Sequence, residues 1–442
     1  MEKKIELICI PSPGTSHIVS MLQMARLMVA RDQRISITVL LIKRPASSTD
    51  LTSTSFEENN DQTSIRFVHL REPDPSNSLI HLDEQARFFA STGEIQIPIV
   101  REAIVAEFMG RPGSLGNLAG ILMDMFCACM VDVAKEFQVP SYIYFPSNAS
   151  CLGLMNHMHA MIEQEEGSEF INSDPVLNIP IFSHPYPANV LPITMIYKNH
   201  NTTTLLGLTN KFKESSGIVV NTFSELEPVA NRENEKLGPI YHVGPLVNFE
   251  KSIGRDEMMR WLDDQPRSSV VFLCFGSMGN FVEEQVKEIA VALERSRCRF
   301  IWSLRMSREV LPEGFLERTC ELGKLIEWAP QVDILSHVAV GGFVSHCGWN
   351  SILESLWYGV SVAAWPLYAE QQMNAFLLVK ELELAVEVKM DYRQNENQIV
   401  AAEVIENAIR RLMDGGSDMD EMRKRVKDLS ETSNIDRRRI FL

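Results

Sequence analysis

Short apolar runs, several of them β-branched, alternate along this chain with stretches of helical periodicity, and they do so in two separate series. The first comprises KIELICI (4–10), ISITVLLI (35–42), SIRFVHL (64–70), GILMDMF (120–126), SYIYF (141–145) and GIVVNTF (217–223). The pattern is interrupted at GPLVNFEKSIGR (244–255) by Gly, Pro, Asn and mixed charge. It resumes with SVVFLCFGS (269–277), RFIWSLR (299–305), KLIEWAP (324–330), GGFVSHC (341–347), SVAAWP (361–366) and AVEVKM (385–390). Strands apolar along their whole length need cover on both faces, and a helix after each strand supplies it. The alternation therefore specifies α/β architecture with parallel, doubly wound sheets. Two series give two domains of similar size, expected at residues 1–245 and 256–442 with a linker at 246–255. The polar stretch ASSTDLTSTSFEENNDQT (46–63) reads as a loop.

Composition mainly excludes. A chain of 442 residues, 45% of them hydrophobic, has material for two or three compact cores. Its formal net charge of −16 disfavours a nucleic-acid partner, which selects basic faces. No apolar run approaches the roughly 20 residues of a membrane helix, and MEKKIELICI resembles a first strand more than a signal peptide. The eight cysteines show neither a CxxC pair nor a Cys/His spacing suited to zinc, and they read as reduced, mostly buried thiols. A cytoplasmic, monomeric protein without stable membrane insertion is expected.

Open α/β sheets bind ligands at the carboxyl ends of their strands, so the informative residues follow the apolar runs. In VSHCGWNSILESL, Gly348 lets the backbone approach a ligand while Asn350 and Ser351 open a helix. A glycine before a helix N-terminus suits an anion, phosphate above all, and His346 adds a hydrogen-bond donor. Asn and Ser are equally ordinary helix caps. A second strand-to-helix turn, CFGSMGN (274–280), brings Gly276 and Ser277. Neither turn matches GxxxxGK[ST] or GxGxxG, which points to a diphosphate held without a Walker lysine and away from NAD. Trp328 offers an indole to stack on a base, with Gln331 to read its edge, or else it is a core tryptophan. Glu354 shares a helix face with Asn350 and suits sugar hydroxyls, or else it is a surface acid.

Chemistry is sought in the first series. General-base chemistry needs a group that can take a proton near neutral pH and a second group that orients it. His17 lies just after PSPG, and imidazole is the side chain whose ordinary pKa suits a base near neutral pH. Asp124 ends GILMD on the same sheet edge, where a carboxylate can orient the imidazole and stabilise its protonated form. A surface histidine and a capping acid are the plainer readings of the two. Asp418 and Asp420 form an Asp-x-Asp, better explained as first-turn acids complementing a helix dipole than as a metal site.

The segment from Trp328 to Gln371, WAPQVDILSHVAVGGFVSHCGWNSILESLWYGVSVAAWPLYAEQ, resembles the signature box of plant family 1 UDP-dependent glycosyltransferases acting on secondary metabolites. PSPG (11–14), LMDMFC (122–127), FGS (275–277) and PANVLP (187–192) extend the resemblance, the last toward the subgroup acting on flavonoids, lignans, other phenolics and some terpenoids. The family implies a GT-B fold, two Rossmann-like domains facing a cleft, with the acceptor mainly in the N-terminal half and the nucleotide sugar in the C-terminal half. By position, Trp328 would stack on uracil, with Ala329 and Gln331 at its edge. Glu354 would take the ribose hydroxyls, and Ser277, His346, Gly348, Asn350 and Ser351 would hold the diphosphate. Trp349, Glu370 and Gln371 would meet the sugar, a closing Gln371 being the usual choice for glucose. His17 and Asp124 would form the catalytic dyad of an inverting transfer. UDP-glucose and a small apolar acceptor are the implied partners. UDP-sugar is a co-substrate, and no cofactor or metal is implied.

Three departures stand out. Ser16 replaces the glycine usual before the catalytic histidine, Pro146 replaces a sugar-contacting threonine with Ser147 beside it, and the tail SETSNIDRRRIFL lacks the family's final apolar helix. They keep open a catalytically impaired UDP-sugar or metabolite-binding protein, which would bind UDP without turnover. A UDP-sugar epimerase or hydrolase would instead act on UDP-glucose alone.

Overall fold

A computed structural model of the chain describes residues 4–43, 64–73, 92–109, 118–163, 176–196, 200–249 and 256–440. The expected loop at 46–63 lies outside these residues, as do 250–255 of the expected linker. The described residues form two compact units. One holds those up to 163 and from 200 to 246, the other those from 176 to 196 and from 247 to 440.

In the first unit the strands are β1 (Ile5–Ile10), β2 (Ile35–Leu41), β3 (Ile65–His69), β4 (Leu118–Asp124) and β5 (Ser141–Phe145). After a short antiparallel pair that belongs to the other unit, β6 (Val176–Leu177) and β7 (Tyr186–Pro187), come β8 (Gly217–Val220) and β9 (Ile240–His242). All pairings in the first sheet are parallel, in the order β3-β2-β1-β4-β5-β8-β9. The helix Thr15–Arg31 buries Met21, Leu22, Ala25 and Val29, one stripe at three- and four-residue spacing, against Cys9, Val39 and Leu122 of the sheet.

The second unit carries β10 (Val270–Cys274), β11 (Arg299–Ser303), β12 (Gly323–Ile326), β13 (Val340–Ser345), β14 (Ser361–Ala364) and β15 (Ala385–Glu387). They pair in parallel in the order β12-β11-β10-β13-β14-β15. The helix Glu283–Ser296 buries Val286, Ile289, Ala290 and Leu293 over this sheet, each large aliphatic contributing about 1.5–3 kcal/mol. In both sheets the chain starts at the centre, runs outward, then crosses to the other side. The switch points fall between β1 and β4 and between β10 and β13, the places where open α/β sheets generally bind ligands.

The first domain is not the continuous stretch 1–245 that the two series suggest, because residues 176–196 pack into the second unit. Glu381 accepts the backbone N–H groups of Ser183 and His184 at 2.8 Å each. Arg393 donates to the carbonyls of Asn189 and Leu191 at 2.9 and 2.7 Å. Phe182 and Tyr186 set their rings against Phe376, with centroids 5.3 and 4.8 Å away. Phe376, Glu381 and Arg393 all lie outside the strands, so the strand pattern of the second series carries no trace of the excursion. Asp418 and Asp420 lie in the first turn of the helix Ser417–Ile440, as their expected dipole role requires.

Candidate active site

Both switch points hold residues that the sequence singles out. In the first unit, β1 is followed by a turn whose Gly14 is the N-cap of the helix Thr15–Arg31, which puts His17 in the first helical turn. Its Nδ1 lies 2.7 Å from Oδ2 of Asp124, the last residue of the neighbouring strand β4. Asp124 is fully buried, and the His17 side chain keeps 22% of its surface exposed. The other carboxylate oxygen accepts the N–H of Phe126 at 3.1 Å and caps the 3₁₀ turn Met125–Met130. Asp124 is thus a capping acid and a histidine partner at once, and the cap holds the carboxylate in place for the imidazole. A carboxylate accepts, so Nδ1–H is the donor in this contact. Phe126 packs beside the imidazole at a centroid distance of 5.4 Å. Ser16 is exposed, and its side chain does not prevent His17 from reaching Asp124. Ser147, next to Pro146, is 7% exposed.

In the second unit, the imidazole of His346 follows β13 and is wedged between two glycines. A Cβ on Gly276 would lie 2.5 Å from its Nε2, and one on Gly348 2.6 Å from the same atom. Gly276 also has φ +73°, a conformation that a side chain disfavours. Burial pushes the His346 pKa down to about 4, so the ring is neutral at physiological pH. Its Nδ1 is buried without a hydrogen-bond partner among the described residues. Cys347, next in the chain, adopts φ +61°, a strained left-handed conformation of the kind that collects at functional sites. Gly348 is the N-cap of the helix Trp349–Trp357 and makes no side-chain cap bond, so Asn350 and Ser351 are first-turn residues, not caps.

Ser351 and Glu354 meet a third expected residue. Gln331 Nε2 donates to Ser351 Oγ at 2.9 Å and to Glu354 Oε2 at 2.6 Å. In this arrangement the Gln331 amide is directed to the acid and the hydroxyl rather than left open for a base edge. The Glu354 side chain keeps a partly exposed edge, but enclosure of its carboxyl raises the pKa to about 7, with the Gln331 hydrogen bond pulling the other way. Trp328 lies two residues beyond the end of β12 and is 63% exposed, which rules out a core tryptophan. Ala329 beside it is half-buried, and Ser277 is exposed on the turn after β10.

Of the residues expected at the sugar, Trp349 is buried, and Glu370 is the half-buried N-cap residue of the helix Gln371–Phe376. Gln371 is buried, and its Oε1 accepts the N–H groups of Leu367 and Tyr368 at 2.9 and 3.0 Å. Its carbonyl end is therefore engaged in shaping the loop. Tyr368 in turn faces His346 across 6.4 Å between ring centroids.

Three further residues shape these sites without carrying a motif. Asn374 donates to the Cys347 carbonyl at 2.9 Å and ties the strained residue to the helix Gln371–Phe376. Glu227, fully buried, accepts the N–H groups of Ala149 and Ser150 and so fixes the helix after β5. Arg305 donates to carbonyls of the turn after β10. A polar residue just past a strand end is the only signal that Arg305 gives, and Glu227 and Asn374 give none.

Comparison with known proteins bears on the whole chain. The family model for UDP-glucoronosyl and UDP-glucosyl transferase matches residues 240–426. UDP-glycosyltransferase 71A15 of Malus domestica is 47% identical over 98% of this chain and 96% of that protein. UDP-glucose flavonoid 3-O-glucosyltransferase 6 of Fragaria ananassa is 45% identical over 98% of this chain and 95% of that protein. Among solved structures, Medicago truncatula UGT71G1 complexed with UDP-glucose superposes with a TM-score of 0.85 at 39% identity, covering 98% of this chain and 94% of that one. Identity of this order along nearly the full length, on two α/β units of the GT-B class, makes this chain a plant family 1 UDP-dependent glycosyltransferase.

Proposed function

We propose that this enzyme transfers glucose from UDP-glucose to a hydroxyl of a small apolar acceptor, a flavonoid, another phenolic, a lignan or a terpenoid, with inversion at the anomeric carbon. The observation that carries the reading is the 2.7 Å contact between His17 and Asp124 at the first switch point. The flavonoid 3-O-glucosyltransferase among the relatives and the UDP-glucose complex among the similar structures support the acceptor class and the donor.

In this mechanism Asp124 holds the Nδ1–H, so Nε2 is the base. The acceptor hydroxyl gives its proton to Nε2 as its oxygen attacks the anomeric carbon. The bond from that carbon to the β-phosphate oxygen breaks, and its electron pair leaves with UDP. Asp124 stabilises the imidazolium until solvent takes the proton. One displacement without an enzyme nucleophile gives inversion.

The donor roles follow chemistry at the second switch point. Trp328 stacks on uracil, flanked by Ala329 and the Gln331 backbone, and Glu354 accepts ribose hydroxyls. Asn350, Ser351 and Ser277 take the diphosphate at the N-terminus beginning with Gly348, where free N–H groups and the helix dipole favour an anion. Neutral His346 contributes a hydrogen bond without a charge. Trp349, Glu370 and Gln371 face the sugar, Gln371 through the amide nitrogen left by its engaged carbonyl. The reading includes no metal and no bound cofactor. It takes the enzyme as a cytoplasmic monomer, and eight cysteines with no disulfide among the described residues suit a reducing compartment.

Mass spectrometry of products from UDP-glucose, UDP-galactose and UDP-xylose against flavonoids, lignans and triterpenes tests the proposal. A glucoside with a β linkage is expected. UDP binding without any glycoside would favour a binding protein, and UDP-glucose consumed without acceptor would favour a hydrolase or epimerase.

A further inference from the structure

Arg305 follows β11 by two residues, and its guanidinium gathers the turn after β10 by its backbone. It donates to the carbonyl of Gly276 at 2.9 Å and to that of Gly279 at 2.6 Å, and it closely contacts that of Ser277. A trans peptide keeps each C=O and the following N–H on opposite sides. Drawing three carbonyls to one cation therefore turns the N–H groups of Ser277, Met278 and Asn280 away from it. The Asn280 N–H is taken by Gln394 Oε1 at 3.2 Å. The amide and hydroxyl of exposed Ser277 remain as donors that the turn can offer. The same turn packs on His346, since Gly276 leaves no room for a Cβ beside the imidazole. Three loops thus meet at this switch point, and the one after β10 has its backbone gathered by a single side chain.

We propose that Arg305 is the positioning residue of the diphosphate grip: by holding three carbonyls it fixes the turn so that Ser277 presents its donors to the phosphates. This rests on the reading that a UDP-sugar binds at the second switch point. Arginine is required for its geometry. Its planar fork reaches several acceptors at once, whereas a lysine supplies the same charge from one point. The cation also adds to a favourable field for an anion in a chain whose net charge is −16.

The test compares UDP with uridine, which keeps the base and ribose but lacks phosphate, using quenching of tryptophan fluorescence and calorimetry on full-length Arg305→Ala and Arg305→Lys. Expected for Arg305→Ala are a Kd for UDP raised about tenfold or more and a Kd for uridine within about twofold of wild type. KM for UDP-glucose should rise more than kcat falls, and added methylguanidinium should restore part of the UDP affinity. Arg305→Lys should fall between the two and carries the test if the alanine variant does not fold. The proposal is overturned if Arg305→Ala binds UDP like wild type, if uridine affinity falls in parallel, or if lysine restores UDP affinity completely. A wild-type protein that binds UDP but transfers no glucose would sink the proposed reaction and leave this inference standing. One that binds no UDP would sink both.

Discussion

His17 and Asp124 are separated by 107 positions in the sequence and by 2.7 Å in space. The strand order brings them together. β1 and β4 are neighbours at the point where the sheet reverses direction, so the residue after one strand meets the last residue of the other. The buried carboxylate is held by its own cap to Phe126, and its other oxygen meets the imidazole.

Substituting His17 with alanine should lower kcat by roughly 10²–10⁴ while leaving the Kd for UDP unchanged, because the proposed base lies in the first unit and the residues proposed to hold the nucleotide lie in the second. Asp124→Asn should cost a comparable factor, since an amide can present a donor to Nδ1 and favour the wrong tautomer. Steady-state kinetics with calorimetry of UDP binding checks both. A His17 variant that still turns over would contradict the base assignment.

Trp328→Ala should weaken UDP and uridine alike by about 1–3 kcal/mol, the scale of base–aromatic stacking. Because the indole is 63% exposed, the melting temperature should hardly move. Equal loss for uridine separates this effect from that of Arg305, and unchanged uridine affinity would remove Trp328 from the base site.

Uridine affinity should rise about tenfold between pH 6 and pH 8, as a carboxyl with pKa about 7 becomes the acceptor that ribose hydroxyls need. Glu354→Gln should flatten that profile. The unliganded protein shows the opposite sign. A carboxyl whose folded pKa is raised from 4.5 holds its proton more tightly when folded, so its stabilising contribution is complete below about 4.5 and lost as pH rises through 7. Uridine titrations and thermal melts at matched pH read the two effects separately.

Gly348→Ala keeps an allowed φ of −62° but drives a methyl group into Nε2 of His346. Overpacking of this kind costs about 1–3 kcal/mol. We expect lowered thermal stability and weaker UDP binding, with uridine affected least. Calorimetry that finds UDP affinity intact would detach the wedged histidine from the phosphate site.

Much of this was legible in the sequence for one physical reason. Fully apolar strands and glycine-bearing turns are local signals, and β1, β10 and β13 with their loops are built from nothing else. The exposure of Trp328 and the neutrality of His346 were not legible, because burial depends on what the rest of the chain places around a residue. Gln331 shows the limit most clearly. Its place in the signature box says nothing of where its amide turns, because the partners it takes, Ser351 and Glu354, lie 20 and 23 positions away. Arg305 donates its hydrogen bonds to backbone carbonyls, which any sequence supplies, so no residue pattern marks these partners.

Arg393 offers a stability test of the segment 176–196. It is buried and gives two hydrogen bonds to that segment's carbonyls, so Arg393→Ala should cost about 1.5–3 kcal/mol and expose residues near 189–191 to limited proteolysis. Unaltered protease resistance would show that the aromatic contacts suffice.

The excursion of that segment also determines how the polypeptide can be divided. A fragment ending at Leu246 would carry Phe182 and Tyr186 without the ring of Phe376 that they pack against, while a fragment beginning at Val247 would present Phe376 bare. Separately expressed halves should therefore become soluble only when made together, each completing the other's apolar surface.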